Sequence, residues 1–357
     1  MGMQSYNLTA GRINKLKGEI LAHAVPVEVL GITGQQKSMP KNVGDTVVYR
    51  RWLPYGASNT DTYNSINRFF SSTSTADRGA ALAQAHLTQE GVTPPPDSLV
   101  PQDISVVLQQ YSVLYGVTDK TVDLYEDDVP GEMKKMVGER MGLVREMIRF
   151  GVLKAGTNKF YGGSGTSQVT VNGKVTLNLL RKVSRALRAN HASPITQVLA
   201  PSPNFATQAV EGGYLVFAHT DCESDIRDLP GFVPVAQYGS RKPINEYELG
   251  SVENFRFIVS PELVPQIGAS GTTIAVGSTG LLDSTAGGYI DVYPIIVCGE
   301  NAWGQLALRG ANSLDVSYIP PGQKDTADPL GQRRSEEHTS ELQSLAYLVC
   351  RLLLEKK

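Results

Sequence analysis

The sequence predicts an α+β protein made of a projecting arm, one long helix and a mixed lobe of helices and strands. Three observations predict it. An amphipathic run extends from Asp128 to Ala155, far longer than most globular helices. A polar stretch lies between two strand-like segments, Asp45–Leu53 and Asp103–Val117. From Gln197 onward, strand-like runs alternate with turns.

The long run has a helix signature at both ends. Asp128 is a suitable N-cap, and Pro130 falls in the first turn, where its missing N–H has no intrahelical partner to lose. Gly156 and the polar residues after it supply a stop. Met133, Met136, Val137, Met141, Val144, Met147, Ile148 and Val152 fall at gaps of three and four, so they form one apolar stripe. Lys134, Lys135, Glu139, Arg145, Glu146 and Arg149 lie largely off that stripe. At 1.5 Å per residue the rod is about 40 Å long. Four of the seven methionines sit on it, as expected for a seam against an uneven surface.

A chain of 357 residues is long enough for two lobes with cores of their own. Its 35 glycines and 20 prolines predict many turns and short strands. A net charge of −2 provides no global basic field to recruit nucleic acid. The N-terminus lacks a charged-then-apolar signal pattern, and no run is apolar enough to span a membrane. Cys222, Cys298 and Cys350 have no CxxC spacing, which points to a reducing compartment and no disulfide framework.

In chain order, Gly11–Ala24 reads as a short amphipathic helix ended by Pro26. Val27–Leu30 is expected as a short strand, and Gly31–Gly44 as a polar, turn-rich segment. Pro54–Val100 is long, polar and poor in core residues; two strands flanking such an excursion make an arm with little core of its own. Gly162–Gly165 is expected as a flexible turn, and Val169–Val175 as a hairpin turning at Asn172-Gly173. Leu177–Asn190 is a second amphipathic helix. Strands are expected around Gln197–Pro201, Gly213–His219, Phe232–Tyr238, Asn254–Ser260, Val292–Gly299 and Leu314–Ile319, with a short helix at Asp221–Leu229.

Residues 334–357 stand apart. Arg334–Ser344 and Leu348–Lys357 read as the in-frame translation of a sequencing-library adapter, separated by three residues where a sample index would fall. Read as protein, Leu345, Leu348, Leu352 and Glu355 would make an amphipathic helix. Setting the tail aside leaves the net charge unchanged. It also implies that a native strand beside the long helix is missing, which would leave part of the methionine stripe exposed.

Signals for catalysis are weak. Asp221, Glu223, Asp225 and Asp228, with His219 nearby, could be drawn as a metal site for a metal-dependent enzyme. They lack a ligand spacing, and charged short helices ordinarily face solvent. The glycines at 162–165 precede no phosphate-binding lysine at a helix start. Cys222 and Cys298 read as buried thiols. No catalytic, cofactor-binding or metal-binding residue is assigned.

The order of arm, excursion, rod helix and α/β lobe resembles the major capsid proteins of tailed bacteriophages, the fold named after the Hong Kong ninety-seven phage. Local sequence narrows the resemblance to the capsid family of N-four-like podoviruses. The matching stretches are Leu87–Pro94, Val117–Asp119, Ala155–Asn158, Tyr247–Val252 with Phe255–Phe257, Val292–Pro294 and Asp328–Arg333, in order over nearly all of residues 1–333.

The resemblance implies an N-terminal arm at 1–48 and an extended loop at 49–117 lying over a neighbouring subunit. It implies a peripheral domain at 118–174 and 316–333 with the spine helix at 128–155, and an axial domain at 175–315. It further implies self-assembly through pentamers and hexamers into an icosahedral head, in the host cytoplasm. Scaffolding, portal and decoration proteins and packaged double-stranded DNA are the implied partners, with no membrane. An encapsulin-like compartment shell of the same fold is the alternative within this architecture.

Overall fold

The computed structural model describes residues 27–39, 46–52, 88, 90–93, 101–124, 129–156, 158–189, 192–199, 207–239, 241–270, 289–308, 314–319, 333–346 and 349–355. A 3₁₀ turn at Leu30–Ile32 leads to β1 (Gln35–Met39) and β2 (Thr46–Trp52). β3 (Pro101–Val107) and β4 (Gln110–Thr118) follow, then helices α1 (Asp119–Leu124) and α2 (Val129–Lys154). After β5 (Asn158–Tyr161) come α3 (Leu177–Ala189), β6 (Ile195–Leu199), β7 (Thr207–His219) and the short α4 (Glu223–Arg227). The chain continues through β8 (Val233–Pro234), β9 (Glu248–Val252), β10 (Phe255–Ser260), β11 (Val292–Cys298), β12 (Trp303–Leu308) and β13 (Leu314–Ile319). It closes on β14 (Arg333–Ala346) and β15 (Val349–Glu355).

β7 organises an eight-stranded sheet of order β5-β15-β11-β7-β10-β9-β8, and its first half also pairs with β6. Its second half runs parallel to β10 and antiparallel to β11. Period-two alternation sends Tyr214, Val216 and Ala218 to one face, where they meet Leu180, Val183 and Leu187 of α3 and Ile226 of α4. Leu215 and Phe217 point the other way, into a core shared with Phe150 and Leu153 of α2, Val29, Leu30 and Trp303. β9, β10 and β11 are buried along their whole length because both faces are covered. That explains the near-continuous apolar runs of β10 and β11.

A second sheet has the order β1-β12-β14-β13, with β4 also paired to β14. The spine α2, 26 residues and about 39 Å long, lies against β14 and β4. β2 and β3 form a separate two-stranded ribbon.

The long helix begins and ends within a residue of expectation, and α3, β2, β13 and the short α4 also lie where the sequence places them. Several expectations fail for physical reasons. Val27–Leu30 is no strand, because the Glu146 carboxylate takes the N–H groups of Val29 and Leu30 and the chain turns there. Gly31–Gly44 contains β1, which pairs in parallel with β12. Asp103–Val117 is two strands, since the chain changes partner from β2 to β14 across Leu108 and Gln109.

The Asn172-Gly173 hairpin does not form. Asn172 Oδ1 accepts the Ser164 N–H at 3.0 Å instead, and the backbone of Gly173 packs against Gly163 with no room for a Cβ. The glycine-rich turn at 162–165 is thereby pinned by a specific partner rather than left loose. Phe232–Tyr238 yields only the two-residue β8 before a 3₁₀ turn. The tail forms strands, not a helix: β14 pairs with β4, β13 and β12, and β15 with β11 and β5. It is the tail residues themselves that lie beside the spine helix as β14. The expected helix at Gly11–Ala24 and most of the excursion at 54–100 lie outside the described residues.

Candidate assembly surfaces

The buried face of α2 changes side along its length. Met133, Val137 and Met141 are buried in the first half, as the stripe predicts. In the second half the buried residues are Glu146, Arg149, Phe150 and Leu153, a set turned about 140° from Met141 at 100° per residue. Glu146 and Arg149, expected off the stripe, are therefore core residues. The reason is that α2 crosses two layers. Its N-terminal half lies on β14 and β4, and its C-terminal half meets the chain entry at Leu30 and the large sheet.

At that crossing the Glu146 Oε1 accepts the N–H groups of Val29 and Leu30, both at 2.8 Å. Arg149 lies beside it, donating from Nε to Gln305 Oε1 at 3.2 Å and from Nη1 to Glu146 Oε2 at 3.4 Å. Glu28 Oε2 lies 3.5 Å from both Arg149 and Arg145. Burial pushes the Glu146 pKa above the usual carboxylate range and the Arg149 pKa below its own, although each charge supports the other. Ser260 Oγ donates to Val27 O at 3.0 Å, and Trp303 Nε1 to Thr33 Oγ1 at 3.0 Å. Gly34, at a φ of 104°, lies flat on the Trp303 ring. Three separate elements, α2, β10 and β12, hold the point where the N-terminal segment joins the body.

The residues that lost their place in the core line an open groove instead. Met136, Leu143, Val144, Met147 and Ile148 form its floor with Tyr115 of β4, flanked by Glu139 and Arg140. Met136 is 47% exposed although the large apolar side chains on either side of it, Met133 and Val137, are buried. Of the stripe's methionines, Met136 is exposed and Met147 half-buried, while Met133 and Met141 are buried.

The β2–β3 ribbon has almost no core. Arg50 and Asp103 pair across it through a bidentate contact at 2.7 and 2.8 Å, on an exposed face. Val48 and Val107 are solvent-exposed. Tyr49 ties it to the body: its ring covers Gly304 and its hydroxyl reaches Gln305 O at 3.5 Å, and Val106 is buried as well.

Within the large lobe the Tyr247–Val252 and Phe255–Phe257 stretch carries a buried ion pair. Arg256 Nε donates to Glu248 Oε1 at 2.7 Å and its Nη2 to Glu248 Oε2 at 3.0 Å. Tyr238 donates to the same carboxylate at 2.7 Å, and burial pushes its pKa up to about 12. The Ile244 N–H and the Lys242 carbonyl complete the network. Every charged group in it has a partner, so it fixes the 238–248 loop on the sheet.

The acidic cluster does not converge on a metal position. Asp225 is buried and pairs with Lys174 at 3.1 Å, and Glu223 pairs with Arg227 at 2.7 Å. Asp221 accepts the Tyr293 hydroxyl at 2.8 Å, which with burial holds that hydroxyl's pKa high. Among the described residues no three histidines, cysteines or carboxylates are grouped to hold an ion. Cys222 and Cys298 are buried free thiols. Among the described residues no helix is long and apolar enough to cross a membrane.

No family model matches the chain. It is 20% identical over 249 residues to the major capsid protein of Pseudomonas phage KPP21, a match covering 63% of this chain. The chain spans about 60% of the length of that curated relative. Among solved structures it superposes on the capsid of Ralstonia phage GP4 with a TM-score of 0.64, at 13% identity, covering 99% of both chains. The head structure of Helicobacter pylori bacteriophage KHP40 gives a TM-score of 0.56 at 12% identity, covering 98% of both chains.

Proposed function

We propose that this chain, whose fold is that of the capsid proteins of tailed bacteriophages, is a major capsid protein that self-assembles into an icosahedral head. The observation that carries the reading is the pairing of a thinly anchored ribbon with an uncovered groove on the spine helix. The ribbon of β2 and β3 exposes Val48 and Val107, and among its described residues Tyr49 and Val106 are the buried apolar side chains. A two-stranded ribbon of that kind is marginal alone and gains stability by lying on another molecule. Among the described residues nothing fills the groove on α2, an apolar surface of matching character. Heterologous contacts of this type, repeated around a closed ring, build pentamers and hexamers.

In this reading residues 49–117 are the loop that crosses to a neighbour. Residues 118–174 with 316–333 form the peripheral domain around α2, and 175–315 the axial domain. The role is structural rather than catalytic, and the head is assembled in the host cytoplasm. Packaged double-stranded DNA and scaffolding, portal and decoration proteins are the partners such a shell requires.

Residues 334–357 are read as foreign sequence lying in the strand positions beside β4, β13 and β11. The in-frame adapter match supports this, and sequencing the gene across Arg333 tests it. The functional reading is tested by purifying the chain and following assembly by light scattering and negative-stain microscopy. Closed particles of uniform size are expected.

A further inference from the structure

The polar side of α3 is a concentrated cationic surface on a chain of net charge −2. Arg181, Lys182, Arg185 and Arg188 are exposed, while Leu179, Leu180, Val183 and Leu187 are buried beneath them. The helix, LNLLRKVSRALRA, contains no acidic residue. Arg181, Arg185 and Arg188 follow i, i+4, i+7 spacing, which sets them on one stripe at steps of about 6 and 4.5 Å along the axis. They line a shallow groove with Ser184, Asn254 and Glu253. Glu253 is the one acid there, and Arg181 grips it from Nε at 2.9 Å and Nη2 at 2.6 Å.

The helix dipole does not explain this pattern. It favours a cation at the C-terminal turn, where Arg188 sits, and disfavours Arg181 and Lys182 nearer the N-terminus. Four acids of this lobe are engaged internally: Glu223 with Arg227, Asp225 with Lys174, Glu248 with Arg256, and Glu211 with Arg241. A guanidinium-rich face with one acid at its edge complements a regular polyanion, because each guanidinium offers paired donors to phosphate oxygens.

We propose that the exposed face of α3 is a contact site for the phosphate backbone of double-stranded DNA. This rests on the capsid reading and gives that shell a defined, sequence-independent DNA contact. Three or four cations per copy make a weak, salt-labile contact, which suits a wall that must hold DNA without arresting it.

The test measures binding of the unassembled full-length chain to a fluorescent duplex by anisotropy across a sodium chloride series. Release of about three counterions predicts a slope near −3 in log K against log salt. The double reversal Arg185→Glu with Arg188→Glu should cut affinity at least tenfold and flatten the slope by about two, with melting unchanged. Arg185→Lys with Arg188→Lys should keep the slope. Three results would overturn the proposal: no salt-dependent binding by the wild-type chain, reversal variants that bind like wild type, or equal competition by polyglutamate. Particle formation is scored separately on the wild-type chain, and its absence would reject the capsid reading whatever the DNA result.

Discussion

Glu146 joins the entering chain to the spine helix. Its buried carboxylate satisfies two backbone donors of the entering chain and faces Arg149. Glu146→Ala should therefore destabilise by about 3–5 kcal/mol, since it strands a buried guanidinium and two N–H groups. Chemical denaturation measures it. Glu146→Gln keeps an acceptor and removes the charge, so it separates packing from titration. Because burial raises the Glu146 pKa, the native state keeps a proton at pH values where the unfolded chain has lost it. Its contribution is fully present below the ordinary carboxylate pKa and is lost as pH rises through the raised native value. The Gln variant should lack that decline in a series of melting temperatures against pH.

At the scale of elements, α2 does two jobs on two faces. Its N-terminal half leaves Met136, Val144 and Met147 along an open groove, while its C-terminal half enters the core. Met136→Lys, at a site 47% exposed, should shift stability by less than about 0.5 kcal/mol yet reduce particle yield. Melting and sedimentation on the same sample check both halves. Removing the exposed Arg50–Asp103 pair by Arg50→Ala should leave the melting temperature nearly unchanged, because a solvated pair contributes little.

The ends of α2 and α3 were legible because caps, stops and period 3.6 are local signals. The rotation of the buried face of α2 was not, since it depends on which layer each half meets. β1 and β12 were hidden for the same reason: each is defined by its pairing with the other, across the whole chain. Asn172-Gly173 is a strong local turn signal that lost to a long-reaching side-chain bond from Ser164. Charge at Glu146 and Arg149 masked core positions. Their spacing of three, matched by Phe150 and Leu153 at four and seven, was the trace available.

At the scale of the molecule, the groove and the ribbon lie on a body with a core of its own, where buried side chains of β7, β10 and β11 fill both faces of the central sheet. Phe217→Ala, fully inside that core, should cost about 3–5 kcal/mol and remove particles by unfolding the subunit. That contrasts with Met136→Lys, which should remove them without unfolding. In the proposed shell the groove and the ribbon make the contacts between subunits, and the core is what each subunit supplies alone.

The most direct measurement is the size distribution of the purified chain across a range of salt and protein concentration, read by light scattering and negative-stain microscopy. The account predicts closed shells of uniform diameter that disappear with Met136→Lys. A chain that stays a well-folded monomer under every condition would contradict it.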